Sequence, residues 1–184
     1  MMRRGFTAIL LMLAAASAAA EVWPIDSAHS SARFSVRTLW FTHERGRFDG
    51  VHGEMRQTGP DRDVVDAWID GDSLSMDDPD ALTQARGPNF FDVAQYPRIH
   101  FVSSPFASAA LGNGGTLDGI LDLHGQRRWV QFTLLPSACP AQPLTCAVRV
   151  HGTLSRSAFE MRAHRGLLSD KVVLDLDIVL GAPS

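Results

Sequence analysis

Three residues near position 30 carry the side-chain types of a hydrolytic triad: Asp26, His29 and Ser30. In such a triad the carboxylate orients the imidazole, which takes the proton of the attacking serine. Triads usually assemble from distant segments, and the sequence contains no Gly-x-Ser-x-Gly elbow that would expose a strained nucleophile. We therefore predict no catalytic residues, and keep a serine-type hydrolase built on a β-barrel as an alternative.

The seven histidines are a second candidate for chemistry, because imidazole is a common metal ligand. His29, His43 and His52 share one stretch, but no histidine stands in an HxxxH or HExxH spacing. We expect no metal and no cofactor, with a metal-dependent hydrolase as the alternative. For His29 we predict a ligand-binding role, in which its imidazole lies near an apolar mouth and donates to a ligand head group. Structural hydrogen bonding beside Asp26 and Ser30 is the favoured alternative interpretation of this residue.

The chain has two cysteines, Cys139 and Cys146. The residues between them include Pro140 and Pro143, which are typical of a turn that brings two strand ends together. In an oxidising compartment such an even pair favours a disulfide, with thiol catalysis and metal binding as the rivals. We predict a disulfide between Cys139 and Cys146.

Composition narrows the class of protein. The 184 residues are 45% hydrophobic and 20% charged, which is the balance of one soluble domain. The chain has 17 basic and 20 acidic residues, so it has no excess of positive charge to neutralise a phosphate backbone. We therefore expect no nucleic-acid partner.

The first twenty residues have the pattern of a secretory signal peptide. Arg3 and Arg4 precede an apolar run, and Ala18-Ala19-Ala20 supplies small residues before Glu21. The strongly apolar part, residues 6–16, is too short to cross about 30 Å of hydrocarbon. We predict cleavage near Ala20, export to the periplasm and no stable membrane anchor.

The remaining chain shows apolar and polar residues in alternation, which is typical of strands with one buried face. The clearest case is 172–180, and the same period of two occurs in 31–37, 117–123, 130–134 and 148–154. Further strands are predicted around 46–56, 63–70 and 97–106, which makes about eight. One helix is predicted at 78–87, and a second helical turn at 90–93.

The links between these strands are short, which favours antiparallel pairing of neighbouring strands. About eight such strands can close into a barrel or form a sandwich of two sheets. Two aromatic clusters, Leu39-Trp40-Phe41 and Phe90-Phe91, fall in connecting segments. They are interpreted either as plugs of the barrel ends or as the mouth of an apolar pocket.

Several blocks of the sequence resemble the YceI-like family of exported lipid-binding proteins. The most specific block is Asn89–Ser104, and Trp23–Val36, Arg45–Phe48, Gly119–Gly125 and Leu154–Met161 accompany it in order. The resembling blocks run from Trp23 to about Val179, and we assign residues 21–184 to one such domain. It implies a lipocalin-like, eight-stranded antiparallel β-barrel with short helices. It also implies that an apolar cavity holds a polyisoprenoid or another long-chain amphiphile, without catalysis.

The predicted ligand-binding residues are the apolar side chains expected to face such a cavity, together with His29. They are Phe34, Val36, Trp40, Phe41, Phe48, Phe90, Phe91, Phe101, Leu121, Phe132, Phe159 and Met161. The chain is compatible with a monomer or a homodimer. A structural or stress-related module that binds a protein partner is the remaining alternative.

The chain departs from the family pattern at three places. Thr38 stands where the family usually has a histidine, and Gln84 lies in a segment that replaces Asp-x-His-Leu. Glu160 replaces the glycine of Phe-Gly-Met. These departures concern the head-group end of the cavity.

Overall fold

The computed structural model describes residues 21–38, 42–164 and 166–183. They fold mainly into one antiparallel sheet that curls into a half-barrel of the lipocalin-like kind, which confirms the predicted fold class. The predicted signal peptide and the cluster Leu39-Trp40-Phe41 lie outside the described residues. Within those ranges no helix has the length and apolar character needed to span a membrane.

The sheet contains twelve strands in the described part of the chain. Nine have six residues or more: β2 (Ser31–Thr38), β3 (His43–Phe48), β4 (Val51–Gly59), β5 (Arg62–Asp70), β7 (Arg98–Ser103), β9 (Gly115–Leu123), β10 (Gln126–Leu134), β11 (Val148–Ser155) and β12 (Leu168–Ile178). Three are short: β1 (Val22–Pro24), β6 (Leu74–Ser75) and β8 (Phe106–Ala107). The order is β1-β4-β5-β7-β9-β10-β11-β12-β2-β3-β6, with β8 beside β5.

The strand count exceeds the predicted eight for a local reason. The segment predicted as one strand at 46–56 contains a turn at Asp49 and Gly50, which separates β3 from β4. The turn packs tightly, because a Cβ atom on Gly50 would lie 2.9 Å from the Cβ of Ser73. The other additional strands have only two or three residues, too few to show an alternating pattern.

The predicted helix is confirmed as α1 (Pro79–Arg86). Asp78 caps it, because its side chain accepts a hydrogen bond from the backbone N–H of Asp80 at 2.9 Å. The segment 90–93 forms hydrogen-bonded turns and not the predicted helical turn; the Phe91 N–H donates to the carbonyl of Ala85. The remaining helices are short: α2 (Ala110–Asn113) and 3-10 turns at Gly71–Ser73, Pro143–Thr145 and Arg156–Phe159.

The first and last described segments of the barrel meet beside β1. Asp26 donates its backbone N–H to the carbonyl of Val179 at 2.8 Å, and Gly181 donates to Pro24 at 2.7 Å. Ile25 and Leu180 form an antiparallel bridge between these bonds. The chain therefore joins β1, at one edge of the sheet, to the end of β12.

The connection between β10 and β11 holds the predicted disulfide. Cys139 and Cys146 are bonded to each other, with their Cα atoms 5.8 Å apart. The loop that they close carries the 3-10 turn Pro143–Thr145, from which Leu144 packs against the hydrophobic core. The bond therefore holds together a connection that packs against the core through Leu144.

Candidate functional site

An apolar cavity of about 520 Å³ lies inside the half-barrel. Its volume is within the range of about 300–1,000 Å³ that small-molecule sites usually have. Apolar side chains from most of the long strands and from α1 form its wall. The alternating pattern explains the wall, because each strand turns its apolar face inward and its polar face to solvent.

Nine of the predicted ligand-binding residues lie in the cavity wall. They are Phe34, Val36, Phe48, Phe90, Phe91, Phe101, Leu121, Phe132 and Met161. Trp40 and Phe41 lie outside the described residues. The wall also contains a set that the sequence analysis did not name, including Val65, Ala67 and Ile69 on β5. The alternation in the predicted strand at 63–70 was the signal for this set.

Two predicted residues do not lie in the wall. Phe159 is only 1% exposed, and it packs in the buried core at the end of the 3-10 turn Arg156–Phe159. His29 lies in an exposed turn, where its Nδ1 is 2.7 Å from the Oδ2 of Asp26. The predicted head-group role of His29 has no geometric support, because its side chain is 71% exposed and outside the cavity.

Three phenylalanine rings of the wall, those of Phe34, Phe101 and Phe132, lie against glycines of neighbouring strands. A Cβ atom on Gly46 would overlap the ring of Phe34, which stands directly opposite it across β2 and β3. A Cβ atom on Gly119 would lie 2.6 Å from the ring of Phe101, which stands diagonally across β7 and β9. Each ring occupies the space that a neighbouring side chain would fill, so the rings lie along the wall and leave the interior open.

The Phe90-Phe91 connection contributes both of its rings to the wall. The ring of Phe91 lies 5.2 Å from that of Phe48 and 5.6 Å from that of Phe34, centre to centre, in edge-to-face or tilted contacts. Phe90 stacks against His164 at 5.9 Å. These contacts connect the segment after α1 to the cavity, so it belongs to the pocket as well as to the core.

Four charged side chains other than histidine lie in the wall: Arg33, Glu44, Asp78 and Arg156. Arg33 pairs with the carboxylate of Asp177 at 2.6 Å. Thr38, Gln84 and His164 are further polar members of the wall. The cavity is therefore apolar over most of its surface, with polar groups in a minority.

Arg156 is 5% exposed and holds a loop together. Its Nε donates to the carbonyl of Ser169 at 3.0 Å, and its Nη1 donates to those of Met161 at 3.3 Å and Ala163 at 3.2 Å. The pKa of Asp170 is lowered, mainly by a hydrogen bond from Ser155 and also by the charge of Arg156. The positive charge of Arg156 is thus shared among backbone carbonyls and a nearby carboxylate.

The residues of the suspected hydrolytic triad are not arranged as one. Ser30 is 3% exposed, and its Oγ accepts from the backbone N–H of Val179 at 3.0 Å. The His29 ring is exposed and bonded to Asp26, and this bond is the main reason that the pKa of Asp26 is lowered. Among the described residues, no group of three or more metal-ligating side chains could hold a metal ion.

Comparisons with known proteins point to one family. A family model described as a YceI-like domain matches residues 23–180. A UPF0312 protein of Vibrio cholerae is 29% identical over 131 residues, which are 70% of this chain and 68% of that protein.

Two solved structures share the fold at low sequence identity. A polyisoprenoid binding domain from Saccharophagus degradans, implicated in plant cell wall breakdown, is 18% identical; the match covers 88% of this chain and 98% of that one, with a TM-score of 0.67. BcnA of Burkholderia cenocepacia is 21% identical; the match covers 86% of this chain and 99% of that one, with a TM-score of 0.68.

Proposed function

Because the chain belongs to the YceI-like family, as its sequence blocks indicated, we propose that it binds a long-chain amphiphile in the cavity of its half-barrel. The amphiphile is a polyisoprenoid or a fatty-acid-like lipid, which the protein sequesters or carries. The apolar cavity of about 520 Å³ is the observation that carries this proposal. The polyisoprenoid binding described for the Saccharophagus degradans domain of the same fold supports it.

Burial of the hydrocarbon chain is the mechanism. Each CH₂ group that leaves water contributes about 0.8 kcal/mol, against which the ordering of the chain and the loss of its free motion must be set. The wall residues that touch the chain in this proposal include Phe34, Phe101, Leu121 and Phe132, whose apolar surfaces line the interior. The rings held against glycines keep that interior open to a chain.

The protein performs this function without catalysis. The Ser30 hydroxyl is engaged by the backbone of Val179 and buried, whereas His29 is exposed, so the suspected nucleophile and base are not paired. A Ser30→Ala change should therefore leave lipid binding intact, whereas a serine hydrolase would lose turnover of an ester. Chelator treatment should likewise leave bound lipid in place.

Export is part of the proposal. The arginine pair, short apolar run and small residues of 1–20 support cleavage near Ala20 and a periplasmic protein without a stable membrane anchor. The disulfide is consistent with an oxidising compartment. N-terminal sequencing of the periplasmic fraction tests this, and retention of Met1 in a membrane-bound form would contradict it.

Native mass spectrometry before and after organic extraction tests the binding function. We expect the purified protein to carry an extractable amphiphile, and the same spectra report whether it is a monomer or a homodimer. Ala67→Trp places a large ring in the cavity wall and should remove the bound lipid. Thr133→Trp adds the same ring at an exposed position of β10 and should retain it. Circular dichroism must first show both variants folded.

Absence of extractable lipid from the wild type, together with ester hydrolysis that requires Ser30, would replace this proposal with the enzyme alternative. Equal lipid content in Ala67→Trp and Thr133→Trp would place the ligand outside the cavity. A partner-binding module would instead show no lipid and a stable complex with another protein.

A further inference from the structure

Glu44 is a carboxylate in the wall of the cavity. It lies on β3, directly opposite Val36 of β2, whose side chain is buried and faces the same interior. Thr38, at the end of β2, is also in the wall. Where β2 ends and β3 begins, the apolar interior therefore acquires a carboxylate group.

The side chain of Glu44 makes no hydrogen bond or ion pair with any residue in the ranges that the structure describes. The other charged wall residues have partners. Arg33 pairs with Asp177, and Asp78 accepts the hydrogen bond that caps α1. Arg156 donates to backbone carbonyls and lies near Asp170. Of the four charged wall groups, Glu44 is thus the one left to interact with a ligand.

We propose that Glu44 selects an amphiphile whose polar end donates a hydrogen bond, such as a hydroxyl or an amine, and disfavours an anionic end group. This inference rests on the proposed function. An ionised carboxylate only accepts hydrogen bonds, so it pairs with O–H and N–H groups. A phosphate at the same position would bring like charges together beside apolar walls, which is costly.

The remaining polar wall groups do not reverse this preference. Thr38 uses its hydroxyl in a contact with the Thr42 hydroxyl, and His164 stacks on Phe90. Gln84, on α1, has an uncharged amide that both donates and accepts. None of these three brings a fixed positive charge that would stabilise a phosphate.

The test compares three ligands with the same prenyl chain: geranylgeraniol, geranylgeranylamine and geranylgeranyl diphosphate. Calorimetric titration into delipidated protein gives their dissociation constants. We expect the alcohol and the amine to bind, and the diphosphate to bind about tenfold more weakly or worse. Glu44→Gln should largely remove the difference between alcohol and diphosphate, and Glu44→Lys should favour the diphosphate.

Glu54→Gln is the matched control, because Glu54 is 43% exposed and paired with Arg56. It should leave the ligand ratios unchanged. Tighter or equal binding of the diphosphate by the wild type, or an unchanged ratio in Glu44→Gln, would overturn the role of Glu44 while leaving the lipid-binding function intact. Failure of all three ligands to bind would overturn the proposed function itself and with it this inference.

Discussion

The ring of Phe132 lies directly against Gly152 of the neighbouring strand. A Cβ atom at position 152 would overlap ring carbon Cδ1 and stand 3.0 Å from Cε1. Phe132 is 7% exposed and forms part of the cavity wall, in tilted contact with Phe101 at 5.5 Å. The missing side chain at Gly152 is thus what allows the ring to occupy this position.

Gly152→Ala should therefore push the Phe132 ring toward the cavity. We expect a loss of about 1–3 kcal/mol in the free energy of unfolding, since extra atoms in a packed site force side chains off their preferred rotamers. Urea unfolding of the lipid-free protein measures it, and bound lipid should fall. Gly59→Ala is the control, because a Cβ atom there meets nothing within 4 Å. Equal stability of the two variants would contradict the prediction.

Phe159 and Phe101 should respond differently to truncation. Phe159→Ala removes a fully buried ring and should cost about 3–5 kcal/mol of unfolding free energy. Phe101→Ala removes a half-buried ring that borders existing free space, so its stability cost should be smaller and its loss of bound lipid larger. Unfolding curves and lipid extraction of both variants test this contrast. A larger stability loss in Phe101→Ala would contradict it.

The phenylalanines of the core and of the cavity wall show how much of the site could be predicted from the sequence. Alternation predicted β2 and β9 to β12, because each has one apolar face, and it correctly indicated which face turns inward. Apolarity alone does not distinguish a ring packed on all sides, such as Phe159, from one that borders a cavity, such as Phe132. That distinction depends on the space left by neighbouring strands, including the glycines.

Polar residues of the site were less predictable. The alternating pattern predicts that charged side chains such as those of Glu44 and Arg156 lie in solvent. Both side chains instead lie in the cavity wall. His29 lies in a turn just before β2, and its side chain is 71% exposed and not part of the cavity wall. Side-chain direction in turns and at strand ends follows from tertiary packing, not from local sequence.

Reduction of the Cys139–Cys146 disulfide should lower the melting temperature. The closed loop is short, so the stabilisation should be at or below the roughly 3 kcal/mol expected for a fifteen-residue loop. Thermal unfolding with and without reductant measures it. A Cys139→Ser/Cys146→Ser double variant should melt like the reduced wild type and be insensitive to reductant. Two free thiols in protein isolated without reductant would contradict the prediction.

Asp63 should make stability depend on pH. It is 2% exposed, and burial raises the pKa of its carboxyl above the ordinary 3.8. The Asp63 carboxyl therefore binds its proton more tightly in the folded state than in the unfolded state. As a result, the free energy of unfolding decreases as pH rises through the raised pKa. Asp63→Asn should be more stable than wild type at neutral pH, and this advantage should shrink below pH 3.8.

Urea unfolding of both proteins across acid and neutral pH measures the Asp63 effect as a difference, so carboxylates common to both proteins cancel. Asp72→Asn, at an exposed position in the 3-10 turn Gly71–Ser73, should show no comparable pH-dependent gain. A neutral-pH stability of Asp63→Asn equal to or below that of wild type would show that ionised Asp63 is not penalised by burial.

Arg156→Met should destabilise the loop that follows the 3-10 turn Arg156–Phe159, and it should do so more than Arg162→Met, a substitution at a nearby exposed position. Arg156 is buried and donates to the carbonyls of Met161, Ala163 and Leu168, so its loss leaves one buried and two partly buried acceptors unpaired. We expect a cost of about 3 kcal/mol or more in the free energy of unfolding and faster proteolysis of 160–164. Lipid retention should also weaken, because Met161 and Leu168 are in the cavity wall. Arg162→Met, at a side chain that is 56% exposed, should change none of these by a comparable amount. Equal protease sensitivity of the two variants would mean that Arg156 does not hold this loop.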